Sequence, residues 1–343
     1  MLQYRYYNIL YLPMDEFDFI ALGDITTDAF IRLSDEVHTY IHDEQRELCM
    51  AFGSKIPYEN VTVVPAVGNS PNASVSAARL GLKSALITDQ GSDEAAKGHM
   101  ASLEKNGVDT RFVRNHDGKE TNYHYVLWFK DERTILIKHH EYDYTLPDIG
   151  TPKWIYMSSL GEKLFDYHEQ IANYLEAHPT VKFAYQPGTF QIKIGYEKSK
   201  RLYNSASIFF CNTDEARKIL DSEEQDGAKL ACAMSEHGPK ITVITDGPKG
   251  LHAHDSATSE TWFMPPYPDP KPPLDRTGAG DSFSSTVTVA LALGLSLEDA
   301  LRWGPINSMS VVQYVGAQEG LLTREKLEEY LANAPADYHP TKV

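Results

Sequence analysis

The sequence predicts an α/β fold in which helices cover both faces of a mostly parallel β-sheet. Across its 343 residues, short apolar runs of strand length alternate with longer stretches of helical periodicity. Strands that are buried on both faces have this pattern, and a chain of this length can bury one large core. The strand candidates are residues 17–22, 85–88, 154–158, 182–185, 208–211 and 241–245, and the helix candidates between them are residues 74–80, 94–105, 165–177 and 227–237.

The last quarter of the chain contains three more helix signals and one connector. Residues 282–293 carry no charge and are apolar on most faces, which predicts a buried helix. The stretch 296–299 has the pattern of a helix cap, and residues 323–331 predict a terminal amphipathic helix. Six prolines within residues 265–273 predict a stiff connector.

Two stretches interrupt the alternation and predict a small separate sheet. These are residues 29–65 and 112–144, and in the second the strand candidates 123–129 and 133–138 flank a turn at 130–132. Ligands of an open parallel sheet bind beyond the carboxyl ends of its strands, so an inserted sheet there can act as a lid. We therefore expect a core of residues 15–335 with the two lid segments inserted, a disordered leader at residues 1–14 and a tail at residues 336–343.

The second lid segment is rich in aromatic rings, namely Tyr123, Tyr125, Trp128, Phe129, Tyr142 and Tyr144, with His124, His139 and His140 among them. Rings at alternate strand positions more often serve packing or a dimer contact than a substrate cage. If they face the substrate, they could stack on a nucleobase as readily as on a sugar. The histidine pair lacks a third ligand at metal spacing, so zinc is not expected.

Composition excludes several classes of partner. The chain has 32 Lys and Arg against 48 Asp and Glu, a formal charge of −16, so neither nucleic acid nor an anionic membrane surface is an expected partner. Three cysteines, Cys49, Cys211 and Cys232, have no metal-like spacing and form no even set, which suits a reducing compartment. We find no signal-peptide pattern and no apolar stretch of membrane-spanning length. The expectation is a soluble cytoplasmic protein.

The stretch 275–281 sets a two-glycine turn and a carboxylate at the start of the predicted buried helix. The first amides of a helix have no partners within it and carry positive potential, so Gly278, Ala279 and Gly280 form a candidate anion site. Asp281 would repel a bound phosphate, so its negative charge is expected to have a function there. Removal of a proton from an attacking hydroxyl is such a function. A capped turn before a core helix remains the alternative.

With a second segment at residues 68–81, this motif resembles the paired signatures of the ribokinase-like family, also called the phosphofructokinase B family of carbohydrate and nucleoside kinases. The resemblance extends in order from residue 18 to about residue 331. It implies a doubly wound α/β core with a small β-sheet lid over the substrate.

The resemblance assigns chemistry to the two helix starts. It implies that Asp281 is the base that deprotonates the acceptor hydroxyl as it attacks the γ-phosphorus of ATP, and that Gly278, Ala279 and Gly280 form the anion hole. Asn212 and Glu215 match an element that organises Mg²⁺ and phosphate through water, although the same pattern is common at helix starts.

Further matches concern the nucleotide and a cation. Residues 241–250 resemble a nucleotide loop, and the residues implied to contact ATP are Thr245, Gly247, Gly250 and, beside the adenine, Asn307. Gly/Pro hairpins are also routine structural devices, and Asn307 could equally be a solvated or capping amide. Asp275 and Thr277 match positions that hold a monovalent cation in some members, so the resemblance admits K⁺ as a cofactor.

On the acceptor side, the resemblance implies that Asp28, Gly68, Asn69 and Asn72 bind the substrate hydroxyls. The chain departs from the family pattern twice: Val67 replaces the first residue of a glycine pair, and residues 185–189 lack the arginine of many relatives, which weakens a sugar-phosphate acceptor. The expected activity is ATP- and Mg²⁺-dependent phosphorylation of a primary hydroxyl of a small sugar. A nucleoside kinase and a non-catalytic binding relative are the alternatives. The resemblance to the family also implies a homodimer that forms through the lid.

Overall fold

The structure is a computed structural model that describes residues 16–35, 37–42, 45–130 and 132–343. The predicted leader at residues 1–14 lies outside these ranges. In chain order the strands are β1 (Phe19–Leu22), β2 (Thr26–Leu33), β3 (His38–His42), β4 (Gln45–Cys49), β5 (Tyr58–Val67), β6 (Ser84–Gln90), β7 (Val113–Asn115), β8 (Tyr123–Phe129), β9 (Glu132–Leu136), β10 (Trp154–Met157), β11 (Lys182–Tyr185), β12 (Ile208–Asn212), β13 (Ile241–Thr245), β14 (Leu251–Asp255), β15 (Glu260–Met264) and β16 (Thr341–Lys342). The helices are α1 (Asn69–Arg79), α2 (Glu94–Lys105), α3 (Phe165–Ala177), α4 (Thr189–Ile194), α5 (Tyr196–Ser205), α6 (Thr213–Leu220), α7 (Gly227–Ser235), α8 (Ala279–Ala292), α9 (Leu297–Val311) and α10 (Arg324–Ala332).

Within the described ranges the central sheet has ten strands in the order β16-β15-β14-β13-β12-β11-β10-β1-β6-β7. The strands from β13 to β7 are parallel to one another, and β14, β15 and β16 extend the other edge in antiparallel order. The chain leaves β1 toward β6 on one side and returns to β10 on the other. The sheet is therefore doubly wound, as predicted, with its switch point between β1 and β10.

Side chains alternate between two cores, one on each face of this sheet. In β1, Phe19 and Ala21 pack with α1, α8 and α9, whereas Ile20 and Leu22 pack with α3, α5 and α7, and all four are fully buried. Successive strand residues point to opposite faces, so a strand covered on both sides must be apolar throughout. This is why the central strands appear in the sequence as uninterrupted apolar runs.

A second sheet forms the lid, with the order β5-β2-β8-β9, and β3 and β4 form a separate hairpin. Its boundaries differ from the predicted ones. The lid sheet begins at Thr26, before residue 29, and Val113–Asn115 belongs to the central sheet, because β7 pairs in parallel with residues 88–90 after the α2 crossover. The core-facing side of the lid carries Asp28 and His124, which are paired in register across β2 and β8.

The predicted tail at residues 336–343 is wrong, because this segment completes the central sheet. Thr341 and Lys342 pair with Phe263 and Trp262 of β15. Tyr338 is buried, and its hydroxyl donates to the carbonyl oxygen of Arg302. Burial of this ring and pairing along the β15 edge hold the segment against the core. Among the described residues, no helix combines the length and the apolar character that crossing a bilayer requires.

Candidate active site

Two helices begin side by side at the carboxyl ends of the central strands. Helix α1 starts after Gly68 and α8 starts after Gly278. A β-carbon on Gly68, whose φ is +123°, would lie 2.6 Å from the carbonyl oxygen of Asp24, just beyond β1. The start of α1 therefore touches the end of β1, beside the switch point of the sheet.

Gly278 occupies a conformation that only glycine adopts here without strain. Its φ is +79°, and a β-carbon would lie 2.3 Å from that of Ala317. The first bond of the α8 ladder runs from the amide of Ser282 to the carbonyl oxygen of Gly278, at 2.8 Å. The amides of Gly280 and Asp281 precede that bond, and Gly280 is exposed. This helix start therefore opens to solvent with its positive end.

The carboxylate of Asp281 lies directly behind this opening and is 8 % exposed. Its Oδ1 accepts from the side-chain amides of Asn69 at 2.7 Å and Gln186 at 3.2 Å, and its Oδ2 accepts from Asn72 at 2.9 Å. Burial raises the pKa of Asp281, and the hydrogen bonds from Asn72, Asn69 and Gln186 oppose that rise. The carboxylate is buried and fixed in position, and Asp281 directly follows the exposed Gly280.

Gln186 is a site residue that was not predicted from the sequence. It directly follows β11, and its Oε1 accepts from the hydroxyl of Tyr156 and lies 2.7 Å from Oγ of Ser284. Those two contacts turn its amide nitrogen toward Asp281. Its location after a buried strand was the one available signal, because the carboxyl ends of such strands surround ligand sites.

Asn69 and Asn72 were expected to bind the acceptor, but their amides hold Asp281. Asn72 is buried, and its Oδ1 accepts from Nε2 of Gln318 at 3.0 Å, so both ends of its amide are occupied. An acceptor contact from Asn72 is therefore not what this arrangement provides. Asn69 is half-buried and keeps its place at the edge of the site.

Asn212 and Glu215 form a reciprocal cap at the start of α6. The side chain of Asn212 accepts from the Glu215 amide at 2.8 Å, and that of Glu215 accepts from the Asn212 amide at 2.9 Å. This is the structural role that the pattern alone suggests. Burial raises the pKa of Glu215, and the negative charge of Asp281 contributes to the rise. The carboxylates of Glu215 and Asp281 are therefore close enough to interact electrostatically.

The predicted nucleotide loop adjoins this cap. Thr245 ends β13 and is in register with Asn212 of β12 on one side and with Leu251 of β14 on the other. A short 3₁₀ turn begins at Gly247, and Gly250 closes it. These residues therefore gather at one sheet edge, at the carboxyl ends of neighbouring strands.

Asn307 lies elsewhere. It is fully buried, its Nδ2 donates to Oγ1 of Thr286 at 2.8 Å, and its Oδ1 accepts from the Leu322 amide at 2.9 Å. Both ends of the side chain tie α9 to its neighbours. The structure thus gives Asn307 a role in the core, and its contact with adenine stays a prediction.

Asp275, which was predicted to hold a monovalent cation, is bonded within the protein through both oxygens. Its Oδ1 lies 3.0 Å from a guanidinium nitrogen of Arg133 and accepts from the amide and hydroxyl of Thr277 at 2.9 and 2.7 Å. Its Oδ2 accepts from the Gly316 amide at 2.8 Å. An arginine of the lid strand β9 therefore balances this buried carboxylate, and Thr277 donates to it through its amide and hydroxyl.

We expect the reaction to show no requirement for K⁺. Replacing K⁺ by Na⁺ or a large organic cation at constant ionic strength should leave kcat/KM within about twofold. In contrast, Arg133→Ala leaves the Asp275 carboxylate without its partner, at a cost of about 3 kcal/mol or more where such a pair is buried. Because Arg133 is partly exposed, we expect a loss of about tenfold in kcat/KM, which K⁺ should partly restore.

Arg133→Lys is the matched control, because it retains the charge and should lose less activity than Arg133→Ala. Steady-state kinetics in K⁺ and K⁺-free buffers measure both effects. A wild-type protein that is inactive until K⁺ is added would contradict this interpretation.

On the other side of Asp281, four side chains form what we call the carboxylate–imidazole cluster: Asp24, Asp28, His124 and His139. Nδ1 of His124 lies 3.3 Å from Oδ1 of Asp28, and Nδ1 of His139 lies 3.4 Å from Oδ2 of Asp24. The two imidazole ring centres are 5.2 Å apart. Of the four, only Asp28 was predicted from the sequence as a site residue, since the others come from separate segments.

Comparisons with known proteins identify the family and the fold. A family model described as "pfkB family carbohydrate kinase" matches residues 36–324. Ribokinase of Bacillus subtilis is 28 % identical over 77 % of this chain and 87 % of its own, and 5-dehydro-2-deoxygluconokinase of Geobacillus thermodenitrificans is 25 % identical over 95 % of this chain and 97 % of its own. The structure of Arabidopsis thaliana ribokinase complexed with ribose and ATP superposes with a TM-score of 0.78 at 18 % identity, covering 92 % of this chain and 99 % of that one.

A doubly wound parallel sheet with a small β-sheet lid defines a ribokinase-like fold. The chain belongs to the pfkB family of carbohydrate kinases. As a member it is a phosphotransferase with an alcohol group as acceptor, and the resemblance seen in the two motifs is confirmed.

Proposed function

We propose that the protein transfers the γ-phosphoryl group of ATP to a primary hydroxyl of a small sugar, with Asp281 as the base. The observation that carries the proposal is the placement of a buried carboxylate of raised pKa directly behind the open amides of α8. A carboxylate with a raised pKa is a stronger base, and free helix amides stabilise charge that develops on a phosphoryl group. Gly278, Ala279 and Gly280 would form this anion hole.

The three amides around Asp281 support its role by orienting it. Asn69, Asn72 and Gln186 hold the carboxylate through both oxygens, so it need not reorganise when the acceptor arrives. Oδ2, which accepts only from Asn72, retains a lone pair for the hydroxyl proton. Closure of the lid would exclude water, which otherwise competes for the phosphoryl group.

ATP would lie along the edge formed by Asn212, Glu215, Thr245, Gly247 and Gly250. In the described ranges no group of three or more His, Cys, Asp or Glu side chains is arranged to hold a metal ion. Mg²⁺ bound with ATP fits this edge, because it keeps several waters and needs one or two carboxylates besides the phosphates. When bound, it would neutralise phosphate charge, and Glu215 is the residue that would hold it through water.

Ring placement favours a sugar over a nucleoside. Of the predicted rings, Phe129 is buried against Leu33 and Val37, and Tyr125 is exposed on the outer face of the lid. Tyr144 reaches the carboxylate–imidazole cluster with its hydroxyl, which donates to Asp24 at 2.7 Å. A hydroxyl directed at a carboxylate suits polar groups, whereas a nucleobase needs an open ring face.

A screen of acceptors tests the proposal. Neutral sugars, sugar acids, sugar phosphates and nucleosides would be incubated with ATP and Mg²⁺, and ADP formation measured, with Asp281→Asn protein as the control. We expect turnover with a small sugar, and ³¹P NMR should place the ester on a primary carbon. Turnover of nucleosides alone would contradict the sugar assignment.

We also propose a homodimer that forms through the lid. Val61, Val63, Tyr125 and Leu136 are exposed on its outer face, and the register aligns Val63, Tyr125 and Leu136 across the strands. An exposed apolar sheet face of this kind marks an interface. Sedimentation should give the mass of two chains for the wild-type protein and the mass of one chain for Val63→Glu. A wild-type monomer at micromolar concentration would refute the dimer.

Cysteine usage supports a cytoplasmic location.

A further inference from the structure

We propose that the carboxylate–imidazole cluster recognises the acceptor and selects an uncharged polyhydroxylated sugar over sugar acids and sugar phosphates. The inference rests on the proposed function, since it names the substrate class of the same site. It adds Asp24, His124 and His139 to Asp28 as residues that determine specificity.

The cluster is formed where the lid meets the core. Asp24 follows β1, Asp28 lies on β2, His124 lies on β8, and His139 lies in the segment that follows β9. Asp28 and His124 face one another in register across two lid strands. Lid and core therefore each contribute to the cluster, and its shape depends on how the lid sits on the core.

Several buried polar atoms of the cluster have no hydrogen-bond partner. They are Oδ2 of Asp24, Oδ1 of Asp28, Nε2 of His124 and Nδ1 of His139. Asp24 itself is 7 % exposed. Buried polar atoms are nearly always paired, and each unpaired one costs about 1–3 kcal/mol. Three of the four lie near an opposite partner, Oδ1 of Asp28 at 3.3 Å from His124 and Oδ2 of Asp24 at 3.4 Å from Nδ1 of His139, but none makes a hydrogen bond, and Nε2 of His124 has no contact of this kind. A ligand with its own polar groups would supply the missing hydrogen bonds at this lid–core junction.

The cluster adjoins the base. The carbonyl oxygen of Asp24 packs against Gly68, and the next residue, Asn69, donates to Oδ1 of Asp281. A molecule that binds the cluster would therefore lie near Asp281. Its remaining hydroxyl can point toward the carboxylate that would deprotonate it.

The charges of the cluster define the class of acceptor. Two carboxylates face two imidazoles, so the cluster is neutral when both rings are protonated and negative otherwise. Within the described chain, the side chains that contact Asp24 and Asp28 are the two imidazoles and the phenol of Tyr144, and none is lysine or arginine. An anionic acceptor would be buried without a surplus positive charge, which is costly. Sugar hydroxyls, in contrast, donate to carboxylates and accept from imidazoles.

The experiment compares matched acceptors and histidine variants. Neutral aldoses and ketoses would be assayed beside the aldonic acids and phosphate monoesters of the same carbon skeleton. We expect kcat/KM to be at least about 100-fold higher for the neutral compound. His139→Asn and His124→Asn should each raise the KM for the acceptor about tenfold and leave the KM for ATP unchanged.

His116→Asn is the control, because His116 also pairs with a buried aspartate, Asp89, at 2.6 Å, but outside the cluster. It should leave both KM values unchanged. Preference for an anionic acceptor, or histidine variants with unchanged acceptor KM, would overturn the inference while the kinase activity stands. If no acceptor is phosphorylated, the proposed function fails, and calorimetric binding of the same sugars to wild-type and His139→Asn protein still decides the role of the cluster.

Discussion

Asp281→Asn is expected to lower kcat by about 10³-fold while the protein keeps its fold and binds ATP. Asparagine has the same shape, and its single amide oxygen can still accept from Asn69 and Gln186, but it loses the bond from Asn72 and cannot take the hydroxyl proton. Steady-state ADP formation measures the rate, circular dichroism checks the fold, and calorimetry measures ATP binding. The effect should appear in kcat rather than in the KM for ATP.

Asp299→Asn provides a control at the same helix position. Asp281 is the third residue of α8, and Asp299 is the third residue of α9, where it is exposed and contacts Ser296. Both carboxylates interact favourably with a helix dipole, which is worth about 0.3–1 kcal/mol at exposed sites. If the two variants lose similar small amounts of stability and Asp281→Asn retains its turnover, the carboxylate is a helix cap and not a base.

The role of Asp281 as a base also predicts the direction in which kcat changes with pH. The base acts only when it is deprotonated, so kcat falls as the pH drops through its pKa in the enzyme–substrate complex. Burial raises the pKa of Asp281, and the acidic limb should therefore lie above the usual aspartate range. Any rate that remains in Asp281→Asn should lack that limb.

Gly278→Ala is expected to cost about 10²-fold in kcat, because it displaces the anion hole. The new β-carbon would lie 2.3 Å from that of Ala317, so the start of α8 must shift. In addition, alanine is strained at a φ of +79°, by about 1–2 kcal/mol. Steady-state kinetics and urea denaturation measure the two consequences separately.

Gly294→Ala separates strain from displacement. Gly294 follows the other end of α8, its φ is +84°, and no heavy atom lies within 4 Å of the position that a β-carbon would take. This variant should lose about 1 kcal/mol of stability through backbone strain and keep its activity. Equal losses of kcat in both variants, or none in Gly278→Ala, would contradict the assignment of the anion hole.

The central strands and the helix start at Gly278 were predictable because they depend on local properties. Residues 19–22 are all apolar, as a strand must be when helices cover both faces of its sheet. The first amides of α8 have no partners within the helix, as in every helix. The order of Gly278, Ala279, Gly280 and Asp281 thus predicts an anion site with an adjacent carboxylate. The family follows from these motifs, and the matching family model confirms it.

Partners distant in the sequence were not predictable. Arg133 and Asp275 are 142 positions apart, and Gln186 and Asp281 are 95 apart. Asn307 was expected at the adenine and lies in the core, and Thr341 was expected in a tail and lies in a strand. In each case the local sequence was compatible with more than one position of the side chain in the fold.

What the sequence alone determined is therefore the fold class and the helix start at Gly278, since the first arises from periodicity and the second from local turn residues. Only the tertiary structure decided which amides hold Asp281, which charge balances Asp275 and which imidazoles face Asp24 and Asp28. The physical reason is that each of these contacts depends on how strands, helices and lid pack against one another. The residues next to a polar side chain in the sequence do not determine where it lies, whereas packing does.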